Sequence, residues 1–378
     1  MPLRHLKRTI RNLLLLLCIT VSYISHPAYA AQAIPKTINS NPASLYAPLL
    51  FPWQAALTSS NTSDVYCGAV VISDYWLITA AHCNNNNNNK YIHHVVAGVS
   101  SIPQSGSQPL PAHYKFNITH RISHPNYDKT VFANDIALIR VDRSLLTVAK
   151  PILITSLTDQ QTADNIFANQ WVTHQNSQAN LIASGWGKTN VESGINYPAQ
   201  LQLITLAGVP DHLCRGLRAE HSHIVCADSN IDGLIKDVCS GDSGGPLIWQ
   251  EPQKTADNDF GLRVIGITSN GAQCQDRLND PTHQYQQLHG QYTELAPLRP
   301  WLEAYIKQYD NLSDFSLAIH NTAPDYKHDP FTVVDDYPQD QDINSLLVST
   351  HSAAAGNIPL TTFAILIVIA LSRRRINW

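Results

Sequence analysis

The sequence predicts an all-β protein with a closing helix, and three observations support this fold class. Short runs rich in β-branched and aromatic residues recur along the middle of the chain. Gly, Pro, Asn and Asp separate these runs, which favours a β-sandwich or β-barrel over repeated βαβ units. The run 301–306 has apolar residues at positions 301, 302, 305 and 306, which share one face of a helix. The predicted strands are residues 66–72, 76–78, 95–99, 136–141, 201–206 and 262–267.

The chain of 378 residues is long enough for one large domain or two ordinary ones. Hydrophobic residues make up 44% of it and charged residues 14%, so a sizeable core can form under a lightly charged surface. The net charge of −4 and the lack of a sustained basic face predict that the protein has no nucleic-acid partner.

Residues 1–30 have the three zones of a secretory signal peptide. Basic residues come first, an apolar run covers residues 13–21, and Ala-Tyr-Ala stands at residues 28–30. This order predicts cleavage after residue 30 and a secreted or cell-surface location for the rest of the chain. An N-terminal membrane anchor is the alternative interpretation, but the apolar run is short for a membrane span.

The chain has seven cysteines, of which Cys18 falls within the signal peptide. The other six form an even number, which in an exported chain predicts three disulfide bonds. Six cysteines allow fifteen pairings, so the residues themselves do not choose among them. A metal site is the alternative use, but the sequence has no Cys-x-x-Cys pair, and we expect no metal. The six residues are Cys67, Cys83, Cys214, Cys226, Cys239 and Cys274.

The composition changes after residue 309. Residues 310–357 are rich in Asp and interleaved with Pro, which predicts an acidic, disordered linker. Residues 358–378 combine a short apolar stretch with three arginines at 373–375, an order that predicts a membrane address with the arginines on the cytoplasmic side. This tail resembles the C-terminal sorting tags of Gram-negative surface proteins. A buried terminal helix is the alternative, which the acidic linker and the arginines disfavour.

Four short motifs carry the chemistry. Residues 241–246 read GDSGGP, a serine in a glycine-rich turn that leaves space for a substrate backbone. A serine hydroxyl is a poor nucleophile, so it needs a base and an orienting acid. Residues 79–83 read TAAHC and supply an imidazole, residues 134–138 read NDIAL and supply a carboxylate, and residues 184–187 read SGWG. Each motif by itself could be an ordinary turn or surface segment, but their joint presence in this order indicates nucleophilic catalysis.

The order His, Asp, Ser with these local contexts resembles the chymotrypsin/trypsin-like serine protease family, over residues 37–309. The resemblance implies two packed six-stranded antiparallel β-barrels with a C-terminal helix and an active site between the barrels. It implies that Ser243 is the nucleophile, His82 the base and Asp135 the orienting acid. It also implies that the backbone amides of Gly241 and Ser243 form the oxyanion hole.

The resemblance further implies how substrates bind. Asp237, six residues before Ser243, matches the base of the primary specificity pocket, so the residue before the scissile bond should be Arg or Lys. Gly271 and Gly290 match positions that must be small to admit such a side chain. Ser269 and Gly271 would pair with the substrate backbone as an added strand. The alternative for Asp237 is a solvated turn residue. The disulfide pairs implied are Cys67–Cys83, Cys214–Cys226 and Cys239–Cys274.

Members of this family are activated by cleavage after a basic residue, and the new ammonium pairs with the Asp before the catalytic Ser, here Asp242. The usual Ile-Val-Gly-Gly is absent. We expect residues 31–36 to be a short propeptide, cut after Lys36 by an activating protease so that Thr37 supplies the ammonium. Residues 99–115 contain no Asp or Glu that could bind calcium, and we expect no cofactor.

The sequence therefore predicts a monomeric, secreted or surface-tethered serine endopeptidase that acts on proteins or peptides after Arg or Lys through an acyl-enzyme. One alternative is a catalytically weak or silent homologue that works as a binding module or adhesin. Another is an esterase of the α/β-hydrolase type, which the order of the three motifs opposes. The tail at 358–378 predicts contact with a membrane.

Overall fold

The computed structural model describes residues 41–42, 47–60, 64–84, 91–104, 106–188, 197–216, 223–272, 288–319 and 326–333. The expected signal peptide, propeptide and C-terminal tail lie outside these residues. The first compact unit of the chain extends to Val334. No helix in the described ranges combines the length and apolar composition needed to cross a bilayer.

Antiparallel strands dominate the described chain, because the short β-branched runs pair through consecutive turns. Most residues of these strands are buried, which matches their near-continuous apolar sequences. The strands are β1 (Asn41–Pro42), β2 (Gln54–Thr58), β3 (Val65–Val71), β4 (Trp76–Thr79), β5 (His94–Ala97), β6 (Lys115–Ser123), β7 (Ala137–Val141), β8 (Leu153–Ile154), β9 (Leu181–Gly185), β10 (Gln202–Val209), β11 (Ile224–Asp228), β12 (Pro246–Gln250), β13 (Leu262–Asn270) and β14 (Gly290–Glu294).

The strands form two closed six-stranded barrels, as the sequence predicts. The first barrel has the order β2-β3-β4-β7-β6-β5 and closes because β5 pairs with β2. The second has the order β10-β11-β14-β13-β12-β9 and closes because β9 pairs with β10. Strand β1 adds to β10, and β8 pairs in parallel with β13. A hydrogen bond of 2.7 Å from Ser184 Oγ to Gln54 Oε1 joins the two barrels in a buried position.

The predicted C-terminal helix is present, and a second long helix was not predicted. Within the described ranges, the α-helices are α1 (Ala47–Leu50), α2 (Leu157–Gln170), α3 (Arg299–Asp310) and α4 (Pro330–Val333). Helix α2 begins at a capping box, in which the side chains of Ser156 and Asp159 each bond the other residue's backbone amide. Its apolar residues are sparse, so the periodicity used for the closing helix does not reveal it.

The chain beyond residue 309 corrects the expected linker of residues 310–357. Asp310 ends helix α3 and accepts hydrogen bonds from Trp76 Nε1 at 2.6 Å and Arg140 Nε at 3.2 Å. Residues 311–319 and 326–333, here named the C-terminal strap, then pack on the barrels. Leu317 is buried, and its carbonyl accepts a hydrogen bond from Ile154 N. Apolar anchors between the aspartates therefore give this first part of the acidic stretch a folded structure.

Candidate active site

His82 and Asp135 meet at one end of the first barrel. Strand β4 ends three residues before His82 and β7 begins two residues after Asp135, and Thr79 pairs with Ala137 across these strands. The antiparallel register therefore puts both residues beyond the same edge. His82 Nδ1 lies 2.7 Å from Asp135 Oδ2, and His82 N donates to Asp135 Oδ1 at 2.8 Å. The carboxylate thus orients both the ring and the backbone of His82.

The second barrel also holds Asp135. Ser269 Oγ on β13 donates to Asp135 Oδ2 at 2.7 Å, and Thr293 Oγ1 on β14 donates to the Asp135 carbonyl at 3.0 Å. The Asp135 carboxylate is fully buried, and hydrogen bonds to an ionised acceptor in such a site are strong. The sequence assigned Ser269 to substrate pairing and did not identify Thr293, because nothing in either strand's local sequence marks a contact with a residue over a hundred positions away.

Ser243 lies in a tight turn just before strand β12. Gly241 has φ +104° and Gly244 has φ +79°, values that L side chains rarely adopt. A Cβ atom on Gly244 would lie 2.1 Å from Thr79 Oγ1 and 2.6 Å from the carbonyl oxygen of Gly68. The turn can therefore pack backbone against backbone on the first barrel only because glycine occupies this position.

The turn of Ser243 and the turn of His82 share strand β3 as a support. Gly68 N donates to the carbonyl of Ser243 at 2.8 Å, and the preceding residue, Cys67, forms a disulfide with Cys83, the neighbour of His82. A ring nitrogen of His82 lies within 4.8 Å of both sulfurs. These three residues are not a metal site, because the two sulfurs are bonded to each other.

The backbone amides assigned to the oxyanion hole belong to this turn. Among the described residues, neither Gly241 N nor Ser243 N donates a hydrogen bond. Their neighbour Asp242 N donates to the Cys239 carbonyl at 2.9 Å. Gly241 N and Ser243 N are the two donors that the oxyanion-hole prediction names.

Asp242 is a buried carboxylate held by backbone amides. Its Oδ1 accepts from Gly187 N at 2.7 Å and its Oδ2 from Cys239 N at 2.8 Å. Burial raises the pKa of Asp242 to about 6, an effect that the nearby Asp237 increases and the two amide bonds oppose. Cβ atoms on Gly185 and Gly187 would lie 2.1 Å and 2.4 Å from its carboxylate. The SGWG motif (residues 184–187) therefore packs closely around the Asp242 carboxylate and is named here the cradle of Asp242.

Asp237 lies beside Gly290, one of the two glycines with which the sequence analysis groups it. Asp237 is 3% exposed, and a Cβ on Gly290 would lie 2.9 Å from Asp237 Oδ1. A Cβ on Gly271 would in turn lie 3.5 Å from the Cα of Gly290. The adjacent Lys236 is also buried and donates to Asn230 Oδ1 at 2.7 Å. The structure therefore gathers an acidic group and two small residues into one place.

Phe132 is a site residue that sequence reasoning missed. Its ring packs edge-on against the His82 ring, with 5.6 Å between the centroids. Phe132 has φ +59° and Asn134 has φ +53°, so the loop before Asp135 adopts a left-handed conformation at two non-glycine positions. An aromatic residue three positions before the motif aspartate was the available signal.

Two disulfides join described residues, Cys67–Cys83 and Cys214–Cys226, and both are pairs that the resemblance implies. Cys239 is disulfide-bonded as well, and Cys274 lies outside the described residues. Such bonds are typical of exported proteins. Lys36 and Thr37, the expected activation residues, also lie outside the described chain.

Comparison with known proteins identifies the family. The trypsin family model matches residues 43–301, so the chain belongs to the trypsin family of serine proteases. Human kallikrein-4 is 32% identical over 260 residues, which are 68% of this chain and 83% of the kallikrein. Human kallikrein-14 is 28% identical over 67% of this chain and 78% of its own length. The venom peptide isomerase heavy chain of Agelenopsis aperta is 28% identical over 67% of this chain and 93% of its own length.

Proposed function

We propose that this chain is a serine endopeptidase that cleaves peptide bonds after Arg or Lys, with Ser243, His82 and Asp135 as its catalytic triad. The observation that carries the proposal is the 2.7 Å contact between His82 Nδ1 and the buried Asp135 carboxylate. With its Nδ1 hydrogen held there, the imidazole offers its other nitrogen as an acceptor. Family membership supports the hydrolytic class.

In the proposed reaction, Ser243 Oγ attacks the substrate carbonyl while His82 accepts its proton. Asp135 fixes the tautomer of His82 and stabilises the imidazolium that forms. The amides of Gly241 and Ser243 bind the oxyanion, and His82 then gives the proton to the leaving amine. Water enters next and releases the acyl group from Ser243 by the same proton transfers in reverse.

The preference for Arg or Lys rests on Asp237. Asp237 is 3% exposed, and a carboxylate at the base of the proposed pocket would attract the cationic side chain of Arg or Lys. Gly290 and Gly271 carry no side chain, and a Cβ on Gly290 would lie 2.9 Å from Asp237 Oδ1, so a larger residue there would obstruct the approach to that carboxylate. The Ser269 hydroxyl is bonded to Asp135, so in the proposed complex Ser269 and Gly271 would pair with the substrate through their backbone groups.

Cleavage after Lys36 is the activation step that we propose. Asn41 and Pro42 pair with Leu203 and Gln202 of β10, which pair with Ser184 and Gly185 of β9. The N-terminal strand thus lies two strand spacings, about 10 Å, from the cradle of Asp242. The four residues 37–40 can extend about 13 Å, enough for the Thr37 ammonium to reach that carboxylate. A positive charge there would offset the burial that raises the pKa of Asp242.

We also propose that the protein is exported as a monomer and meets a membrane through residues 358–378. The disulfides support an oxidising environment. Its partners would be protein or peptide substrates and an activating protease, with no nucleic acid.

The test uses fluorogenic peptides with Arg, Lys, Leu or Glu before the cleaved bond. Purified protein is first treated with a lysine-specific protease, and its N-terminus is sequenced. We expect Thr37 as the new N-terminus and hydrolysis of the Arg and Lys peptides by the wild type but not by Ser243→Ala. A correctly processed wild type without turnover or labelling by a serine-reactive phosphonate would instead favour the silent binding module. An active form with another N-terminus would exclude the proposed activation site.

A further inference from the structure

The part of the chain between helix α3 and the three arginines at 373–375 is nearly free of Lys and Arg. Lys327 is the sole Lys or Arg between Lys307 and Arg373. Lys307 lies within helix α3, and its carbonyl accepts hydrogen bonds from the amides of Asn311 and Leu312. Lys327 is therefore the one residue of this region outside helix α3 at which a protease of the proposed specificity could separate the tail from the barrels.

The residue before Lys327 is firmly attached to the barrels. Tyr326 is 7% exposed, and its hydroxyl donates to the carbonyl of Pro151 at 2.6 Å. Its ring packs against Trp53 with 5.2 Å between the centroids. The Lys327 side chain itself is exposed. A basic side chain is thus displayed next to a residue whose own side chain is inserted into the domain.

The residues after Lys327 are held as well. Asp329 Oδ2 accepts from Gln250 Nε2 at 2.8 Å, and Asp329 Oδ1 accepts from Phe331 N at 2.9 Å, at the start of helix α4. Thr332 Oγ1 donates to the Asp329 carbonyl. The bond between Lys327 and His328 consequently lies between two anchors, Tyr326 and Asp329, which are the second residues on either side of it.

This arrangement matters because a protease binds its substrate as an extended strand on both sides of the cleaved bond. Tyr326 and Asp329 are two of the residues that would have to leave the surface together. Cleavage in such a case follows the population of the opened form. The exposed Lys327 side chain is therefore accessible to solvent, while its peptide bond is withheld from an active site.

We propose that Lys327–His328 is a guarded cleavage site, which is cut once the C-terminal strap leaves the barrels and which then releases the chain from His328 onward. In the reaction the amide bond breaks, and water supplies a hydroxyl to the Lys327 carbonyl and a proton to the His328 nitrogen. The suggestion that this chain's own activity makes the cut rests on the proposed function. The guarding does not, since any trypsin-type protease would meet the same barrier.

The test uses the full-length Ser243→Ala chain as substrate and added trypsin as the probe, with fragments identified by mass spectrometry. Tyr326→Ala should raise the rate of cleavage at Lys327 on the order of 100-fold, because a buried aromatic anchor is lost. Tyr326→Phe removes only the hydroxyl and should raise it less. The matched control is Tyr91→Ala, which removes a tyrosine that is 48% exposed and should change nothing. Lys327→Gln should remove the fragment that begins at His328.

Two results would overturn the guarded site: rapid cutting at Lys327 in the parent chain, or an unchanged rate in both Tyr326 variants. Arg263 is buried in the second barrel. If Tyr326→Ala also allows trypsin to cut at Arg263, the domain has unfolded, and the rate at Lys327 in Tyr326→Phe then decides whether the strap protects that bond. The active wild type is then incubated with the Tyr326→Ala substrate. If trypsin cuts the Tyr326→Ala substrate and the active wild type does not, the proposal that the strap protects the Lys327–His328 bond still stands. The same result would count against the proposed specificity of this chain.

Discussion

The two barrels contribute to the site in different ways. In the first barrel, His82 and Asp135 contact each other directly, and the Asp135 carboxylate accepts hydrogen bonds from the His82 ring, the His82 backbone amide and Ser269 Oγ. In the second barrel, Asp237 and Asp242 are both buried, and the charge of Asp237 adds to the burial that raises the pKa of Asp242. The His82–Asp135 pair is therefore held by direct contacts, whereas the surroundings of Asp242 oppose its ionisation in the uncleaved chain.

This difference follows from where each group sits. The residues of the first barrel lie beyond the paired ends of β4 and β7, so strand register fixes them. Those of the second barrel lie on turns that contain Gly241 and Gly244, with positive φ. Loops of this kind carry specificity and regulation because they can rearrange while the strands stay in place. In the proposed protease, the base His82 would already be in position, whereas the pocket at Asp237 would depend on the arrangement of these turns.

Breaking the proposed catalytic pair should have the largest effect. His82→Ala and Ser243→Ala should each lower kcat/KM for an Arg peptide by on the order of 10^5, and the double variant should lose no more, because the two residues act as one unit. Initial rates on activated protein check this, with thermal melting as the control for folding. Multiplicative losses in the double variant would contradict a shared step.

Removing Asp237, the acid of the proposed specificity pocket, should have the next largest effect. Asp237→Ser should lower kcat/KM for Arg and Lys peptides by roughly 10^3, because the substrate cation loses its charged partner, and should leave a Leu peptide unaffected or improved. Asp232→Asn is the matched control, since it removes an exposed acid from the same barrel. An equal loss on all three peptides would indicate damage to the turn instead of a change in specificity.

The buried Asp242 can also be tested through the pH dependence of the free energy of unfolding. In the uncleaved Ser243→Ala chain, the pKa of Asp242 is raised to about 6, so the folded chain holds a proton that the unfolded chain releases near pH 4. Its contribution to stability is complete below pH 4 and is lost as the pH rises through 6. Between pH 4 and 7 the parent should therefore lose about 3 kcal/mol that Asp242→Asn does not lose.

Urea unfolding at several pH values measures this difference. Asp232→Asn serves again as the control, and its free energy of unfolding should change with pH as the parent's does. Identical pH slopes for the parent and Asp242→Asn would show that the Asp242 charge is already compensated in the uncleaved chain. Cleavage after Lys36 should reduce the slope if Thr37 supplies the ammonium.

The smallest effect concerns the link between the barrels. Ser269→Ala removes one hydrogen bond to the buried Asp135 carboxylate, which should destabilise the protein by about 2 kcal/mol and lower kcat/KM about 10-fold. Ser240→Ala, which removes an exposed hydroxyl from the Ser243 turn, is the control. A loss as large as that of His82→Ala would give Ser269 a more direct role than positioning.

Much of the fold was accessible from local sequence. The strands predicted at 66–72, 136–141 and 262–267 match β3, β7 and β13 to within a few residues, because β-branched runs between turn residues have little choice of structure. Helix α2 was missed because its stability comes from a capping box and from tertiary contacts instead of an apolar stripe. The strap was taken for linker because Leu317 and Tyr326 are isolated among polar residues.

The sequence by itself determined the residue types, their order and the backbone positions that only glycine can occupy, since these depend on local chemistry and conformation. Only the tertiary structure decided which groups meet: Ser269 with Asp135, the SGWG cradle with Asp242, and Tyr326 with Trp53 and Pro151. Those contacts join residues far apart in the chain, and their energies come from burial and charge, which exist only after the barrels have closed.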